Sequence, residues 1–332
     1  ILLTGAAGFI GFHTAQALLA AGEQVIGVDN LNEYYDVTLK KARLEQLEKR
    51  DGFTFYKADI ADRDAMQGIM DAHPQIDRII HLAAQAGVRH SLTHPFDYEH
   101  SNLMGPLVLL ELARHREGLK HFVYASSSSV YGGNTKQPFS IDDQVNAPVS
   151  LYAATKRAGE LMTQSYSYLY NIPATGLRFF TVYGPWGRPD MAYFSFTRDI
   201  LAGKPITVFN QGDMKRDFTW IDDVVSGIIA VLGHPPVAHG PHCIHDAPHR
   251  VFNLGNNRAE SLLYFIETIE TALGVRTEKI MAPMAPGDVP ETYADIDASK
   301  EVFGYDPKTP LSEGIPQFVE WYRSFYGIEK AA

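Results

Sequence analysis

Short apolar runs alternate with amphipathic stretches through the first half of the chain. Ile1–Leu3 is apolar and ends in Thr4-Gly5, and Phe9–Ala21 then repeats its apolar positions at helical spacing. Gln24–Val28 predicts a second strand closed by Asp29, Leu39–Arg50 a charged helix and Phe53–Lys57 a third strand. Asp62–Ala72 predicts a helix and Arg78–Leu82 a fourth strand. Asn102–Arg116 and Tyr152–Tyr170 continue the helices, Phe122–Ala125 and Ala174–Leu177 the strands. Strands that are apolar on both faces and separated by helices predict a parallel sheet covered on both sides.

The regularity fades further on. Proline and glycine become denser from Pro185, in "GPWGRPD", "HPPVAHGPH" and "MAPMAPGD", which mark loops. Val251–Asn257 reads as one more strand returning to the sheet. The expected division is a domain over 1–180 with a returning segment about 217–256. A smaller α/β lobe, discontinuous in sequence, is expected over 181–216 and 257–332.

Between the first strand and first helix stands "LTGAAGFIG", with Gly5, Gly8 and Gly11 spaced G-x-x-G-x-x-G and Phe9 and Ile10 inside the pattern. A glycine turn there lets backbone N–H groups and the helix N-terminus meet a pyrophosphate. Asp29, followed by Asn30, ends the second strand, where a carboxylate accepts from both ribose hydroxyls and repels a 2′-phosphate. This pattern predicts a Rossmann-type doubly wound fold that binds NAD rather than NADP. No arginine in "DNLNEYYD" reverses that preference. Asp59 and Ile60 after the third strand are candidates for the adenine, and Leu82, Ala83, Ala84 and Gln85 after the fourth for the cleft wall.

In "SLYAATKRAGE", Tyr152 and Lys156 lie four apart on one helix face. A phenol near its ordinary pKa of about 10 is a poor base at neutral pH, and an ammonium one turn away stabilises the phenolate. The pair can then take a proton from a hydroxyl while hydride leaves the same carbon.

Composition narrows the partners. The 332 residues carry a net charge of -10 and a pI near 5.7, which argues against nucleic acid or an anionic membrane surface as partner. A single cysteine, Cys243, leaves no internal disulfide framework and suits a reducing, cytoplasmic setting. No run of about 18 apolar residues is present. The chain opens at Ile1, in what reads as a strand, so an upstream anchor or address stays open. His234, His239, His242, Cys243, His245 and His249 look metal-like in composition but lack ligand spacing, and no metal is expected; a surface loop is the simpler reading.

Taken together, "TGAAGFIG", "HLAAQAGVR", "YASSSSVYG", "YAATK", "RFFTVYGPWGRPDM", "RDFTWIDD" and "PGDV" resemble the extended short-chain dehydrogenase/reductases of the NAD-dependent epimerase/dehydratase family. Within them the chain is most similar to the nucleotide-sugar 4-epimerases that act on UDP-glucuronate, over nearly its whole length. The resemblance implies a catalytic set at Ser127, Tyr152 and Lys156, tightly held NAD recycled within each turnover, a UDP-sugar substrate and a homodimer formed through helices flanking the sheet. It implies C4 epimerisation of UDP-glucuronate to UDP-galacturonate through a transient 4-keto sugar. Where similar sugar dehydratases carry an Asp-Glu pair and similar decarboxylases a glutamate, this chain has Ser128 and Ser129. Hydroxyls there, with Thr181, can grip the sugar carboxylate without repelling it. Arg188 and Arg216 are candidates for the UDP phosphates, Arg89 for cofactor phosphate or sugar, Asp288 for the uridine ribose and Met191 for a loop near the turning sugar. An arginine common before the Pro-Gly-Asp of galactose-type epimerases is Ala285 here, and their sugar-lobe asparagine is Thr181. The rival readings are a UDP-glucuronate decarboxylase, a UDP-glucose 4-epimerase and a non-catalytic NAD-binding scaffold.

Overall fold

A computed structural model describes residues 1–284 and 288–329; Ala285 lies outside the described residues. Seven strands form one sheet: β1 (Leu2–Thr4), β2 (Val25–Asp29), β3 (Phe53–Lys57), β4 (Arg78–His81), β5 (His121–Ser127), β6 (Ala174–Phe179) and a late strand at His249–Leu254. Their spatial order is β3-β2-β1-β4-β5-β6 followed by the late strand, and every pairing is parallel. The order reverses direction between β1 and β4. In open parallel sheets the ligand crevice lies at such a point, beyond the carboxyl ends of the strands.

Consecutive strand residues serve opposite cores, as a period of two requires. Leu3, Ile80, Val123 and Phe252 face a core completed by α1 (Phe9–Ala20). Leu2, Ile79, Phe122 and Tyr124 face a second core with Met66 and Ile69 of α3 (Arg63–Ala72) and Leu109 of α5 (Gly105–His115). Between these helices lie α2 (Val37–Glu48) and the short α4 (Pro95–Glu99). The expected doubly wound α/β sheet is therefore present.

After β5 come α6 (Leu151–Tyr170), β7 (Thr181–Tyr183), α7 (Ala192–Leu201), β8 (Ile206–Val208), β9 (Lys215–Arg216), β10 (Phe218–Trp220) and α8 (Ile221–Leu232). The late sheet strand is β11. It is followed by β12 (Glu260–Ser261), α9 (Leu262–Leu273), β13 (Lys279–Met281), β14 (Glu291–Thr292), α10 (Asp297–Phe303) and α11 (Leu311–Tyr326). Three small sheets, β10-β7, β12-β9-β14 and β13-β8, carry this half. Asp217, fully buried, ties it to the end of the late sheet strand: its carboxylate accepts from the Asn256 N–H, two residues after that strand, at 2.5 Å, and from the Ala294 N–H at 3.1 Å. Among the described residues no helix is long and apolar enough to cross a membrane.

Two local expectations are corrected. The helix expected from Asn102 starts at Pro95 and passes through a π-helical turn at His100–Met104 before α5. Pro95 sits in the first turn, where its missing N–H is harmless, whereas Pro106 lacks the N–H an interior position would use. His249 does not lie in a surface loop with its histidine neighbours. It opens β11, is 1% exposed and is held by Tyr124 Oη at 2.8 Å and Gln164 Oε1 at 2.7 Å, with burial lowering its pKa to about 4.

Candidate active site

The glycine loop follows β1 and opens α1. Gly5 has φ +74°, and a Cβ there would stand 2.7 Å from Ala83 N. A Cβ on Gly11 would stand 2.0 Å from Gly5 O, and one on Gly8 2.9 Å from the same oxygen. Side chains are thus excluded from a cradle made of backbone. Gly8 begins α1 without a side-chain cap, and no acidic residue occupies the first turn, so the helix N-terminus is left for an anion.

Asp29 closes β2 beside this loop. Its carboxylate accepts from Leu31 N–H at 2.8 Å and Ala7 N–H at 3.2 Å, and burial raises its pKa against those donors and Lys40. Lys40 and Arg43, both buried on one face of α2, stand nearby and went unrecognised in the sequence. The signal was present: both interleave with Leu39, Leu44 and Leu47 on the face that packs inward. Neither cation seeks Asp29. Lys40 Nζ donates to Asn32 Oδ1 at 2.6 Å, and Arg43 Nη1 to Ala7 O and Tyr35 Oη, both at 2.8 Å.

A cleft of about 1340 Å³, its solvent-open mouth included, runs from this loop to Tyr152. Gly5, Gly8, Phe9, Ile10, Gly11, Asp29, Asn30, Asp59, Ile60, Leu82, Ala83 and Ala84 line one end. Ser127, Tyr152, Lys156, Arg188 and Met191 line the other. The backbone cradle, the uncapped helix and the ribose-height carboxylate fit a dinucleotide.

Ser127 ends β5 and is buried; its Oγ accepts from Ser129 N–H at 3.1 Å, which caps the 3-10 turn Ser128–Tyr131. Behind it, Ser126 Oγ donates to Glu160 Oε1 at 2.6 Å, and Glu160 is paired with Arg178 at 2.8 Å, both nearly inaccessible. That buried pair locks β5, β6 and α6 together, which holds Ser127 and Lys156 in fixed relation. Lys156 Nζ donates to Ala125 O at 3.0 Å, and burial lowers its pKa to about 8. Tyr152 is raised by burial, opposed by a hydrogen bond with Ser127 and by the charge of Arg188. The charge opposing burial at the phenol is that of Arg188, while Lys156 Nζ is turned to Ala125 O.

Arg188 is itself clamped by Asp190, at 3.1 Å from Nε and 2.6 Å from Nη2. The remaining predicted residues gather elsewhere. Arg89 pairs with Asp288 at 3.0 Å and lies 4.4 Å over the Phe209 ring, while Asp288 also acts on Arg216. Arg216 Nη1 donates to Pro290 O at 3.0 Å. Ser128, Ser129 and Thr181 are not among the residues that line the cleft; Ser128 and Ser129 follow the end of β5, and Thr181 opens β7 two residues after β6, whose Phe179 pairs with Ser127. Among the described residues no three His, Cys, Asp or Glu side chains are gathered as for a metal ion.

The low pKa of Lys156 carries a stability prediction. Folding disfavours its ammonium, so the penalty is fully present below pH 8 and fades as pH rises toward 10.5. Lys156→Met should raise the stability of the cofactor-free protein at pH 7 by about 2 kcal/mol, after allowing for the lost bond to Ala125 O, with the gain falling above pH 8 and gone before pH 10.5. Urea unfolding at a series of pH values measures it; a gain that is independent of pH contradicts the assignment.

A parallel dinucleotide-binding sheet that presents a strand-end serine to a Tyr–Lys helix defines a class of NAD-dependent proteins acting on a hydroxyl-bearing carbon. The chain belongs to the NAD dependent epimerase/dehydratase family, whose profile matches residues 1–255. It is 53% identical to an uncharacterized 37.6 kDa protein of Escherichia coli O111:H-, over 98% of this chain and 99% of that one. It is 46% identical to UDP-glucuronate 4-epimerase 1 of Arabidopsis thaliana, over 100% of this chain and 78% of the plant protein. Among solved structures, UDP-glucuronic acid 4-epimerase from Bacillus cereus in complex with UDP-glucuronic acid and NAD matches with a TM-score of 0.87 at 35% identity, covering 98% of this chain and 99% of that one.

Proposed function

We propose that the protein interconverts UDP-glucuronate and UDP-galacturonate by epimerisation at C4. The observation that carries this is Ser127 lining the cleft with Tyr152 and Lys156, followed by Ser128 and Ser129, neutral where the similar dehydratases and decarboxylases carry a carboxylate. Bound NAD supplies reversible hydride acceptance at C4. Tyr152 takes the O4 proton and gives it back to O4 once the sugar has turned its other face, Ser127 hydrogen-bonds O4, and the charge of Arg188 favours the phenolate. The proton and the hydride both come back to the sugar, so no net oxidant is consumed.

Oxidation at C4 places a ketone β to the C5 carboxylate, an arrangement prone to lose CO2. Ser128, Ser129 and Thr181 are proposed to hold that carboxylate close to the ring plane, where the breaking bond cannot overlap the carbonyl π system. The double variant Ser128→Ala/Ser129→Ala should raise the share of UDP-pentose product about tenfold, read by proton NMR. An unchanged product ratio at full activity would sink the role given to these hydroxyls.

The segments 181–216 and 257–332 are proposed to bind UDP through Arg216, Asp288 and Phe209, joined by Arg89 from the first domain, with the sugar reaching inward past Met191 toward Arg188. A cytoplasmic homodimer is also proposed: Phe96, Leu161 and Tyr168 are 82%, 54% and 61% exposed on α4 and α6. Light scattering measures it.

The reading is tested by incubating UDP-glucuronate with the protein and following proton NMR. UDP-galacturonate signals support it. UDP-pentose with CO2 points to a decarboxylase, no change to a binding scaffold, and equal turnover of UDP-glucose to a neutral-sugar epimerase.

A further inference from the structure

Residues 30–36 leave the sheet at the ribose-height carboxylate and cross the cleft before α2 begins. Their near end is bound at the cofactor side: Asn30 Nδ2 donates to Asp59 Oδ2 at 3.0 Å, and Lys40 Nζ donates to Asn32 O at 2.8 Å while lying 4.7 Å over the Tyr35 ring. Their far end is bound at the reacting side. The Tyr34 hydroxyl donates to Asp190 Oδ2 at 3.1 Å, on the carboxylate that clamps Arg188 beside Tyr152. The Tyr34 ring lies 4.7 Å from His90, and its hydroxyl would be 2.4 Å from a Cβ at Gly87, whose φ is +104°. The loop after β4 must therefore keep a glycine for Tyr34 to reach Asp190. Asn32, Tyr34 and Tyr35 all line the cleft.

We propose that Tyr34 is a positioning residue that fastens this segment across the cleft and so keeps NAD bound from one turnover to the next. It joins three segments distant in sequence, 30–36, 87–90 and 188–190, over the groove between Asp29 and Tyr152. The dinucleotide cannot leave sideways until the hydroxyl parts from Asp190. The inference rests on the epimerase reading, since only a reaction that returns its electrons to the same sugar needs the cofactor held throughout. Tyr34 touches no reacting atom; it acts through Asp190 and the covering segment.

The test uses the full chain and needs no sugar. NAD content after purification and the rate of NADH release, followed by fluorescence on dilution into excess NAD, are compared for wild type, Tyr34→Phe and Tyr34→Ala. Wild type should keep NAD near one per chain. Tyr34→Phe, which loses one hydrogen bond to a charged group, should release NADH about tenfold faster, and Tyr34→Ala faster still. The affinity for UDP, measured by calorimetry, should change much less. Wild-type release rates in Tyr34→Phe overturn the proposal, whether or not Tyr34→Ala folds, and so does a loss of UDP affinity matching the loss of NAD. A wild type that holds NAD but leaves UDP-glucuronate unchanged defeats the epimerase reading alone.

Discussion

Tyr152→Phe should lower kcat on UDP-glucuronate about 10³-fold while leaving NAD in the cleft. The ring keeps its place in phenylalanine, because its packing does not depend on the hydroxyl: Tyr98 meets it edge-on at 6.1 Å between centroids. What disappears is the one oxygen that stands by Ser127 and feels the charge of Arg188. Among the described residues near this end of the cleft, the other candidate bases are already engaged or too weak. Lys156 is turned to Ala125 O, Ser127 is a hydroxyl of high pKa, and Asp190 is engaged by Arg188 and Tyr34. A large loss in kcat with NAD and UDP binding altered by less than about threefold is the expected pattern, since the proton transfer belongs to the transition state rather than to binding. A loss of less than tenfold would mean that the proton is taken elsewhere.

Gly11→Ala should abolish NAD binding and take activity below about 0.1% of wild type. The added Cβ would lie 2.0 Å from Gly5 O, 2.8 Å from Gly5 C and 3.2 Å from Ala6 Cα, all backbone. None of these can swing aside as a flexible side chain would, so the turn between β1 and α1 must open. The turn is also the pyrophosphate cradle, and opening it moves the helix N-terminus away from its anion. Gly68→Ala separates this from a general effect of alanine in a helix. Gly68 lies in α3, where an added Cβ would meet nothing within 4 Å, and alanine there should be neutral or stabilising by about 0.5–1 kcal/mol. Absorbance of released NAD and circular dichroism check both variants; a Gly11→Ala protein that still carries NAD would refute the cradle.

The parts of this site that could be read from the sequence are those where one short segment carries both the geometry and the chemistry. The glycine turn, Asp29 at a strand end and Tyr152–Lys156 one turn apart are of that kind. Hydrophobic periodicity likewise foretold the parallel sheet, because strands buried on both faces and spaced by helices leave little else to build. The segment 30–36 was legible only as a loop. Tyr34 gains its place from Asp190, 156 residues away, and Arg43 from carbonyls at Trp186 and Gly187, so no local pattern marks either. Arg188 was foreseen as a phosphate cation, but its pairing with Asp190, which also holds Tyr34, was not, because the Tyr34 contact spans 156 residues. His249 misled because residues 234–249 share a composition, although the last of them already belongs to a buried strand.

Oxidation of C4 and its reduction within one site are tested most directly by label retention. UDP-glucuronate carrying deuterium at C4 is incubated with the protein in ordinary water, and the UDP-galacturonate formed is analysed by mass spectrometry and proton NMR. The deuterium should stay at C4 of the product, with none lost to solvent. Product whose C4 carries solvent hydrogen, or deuterium found instead in free NADH, would contradict it.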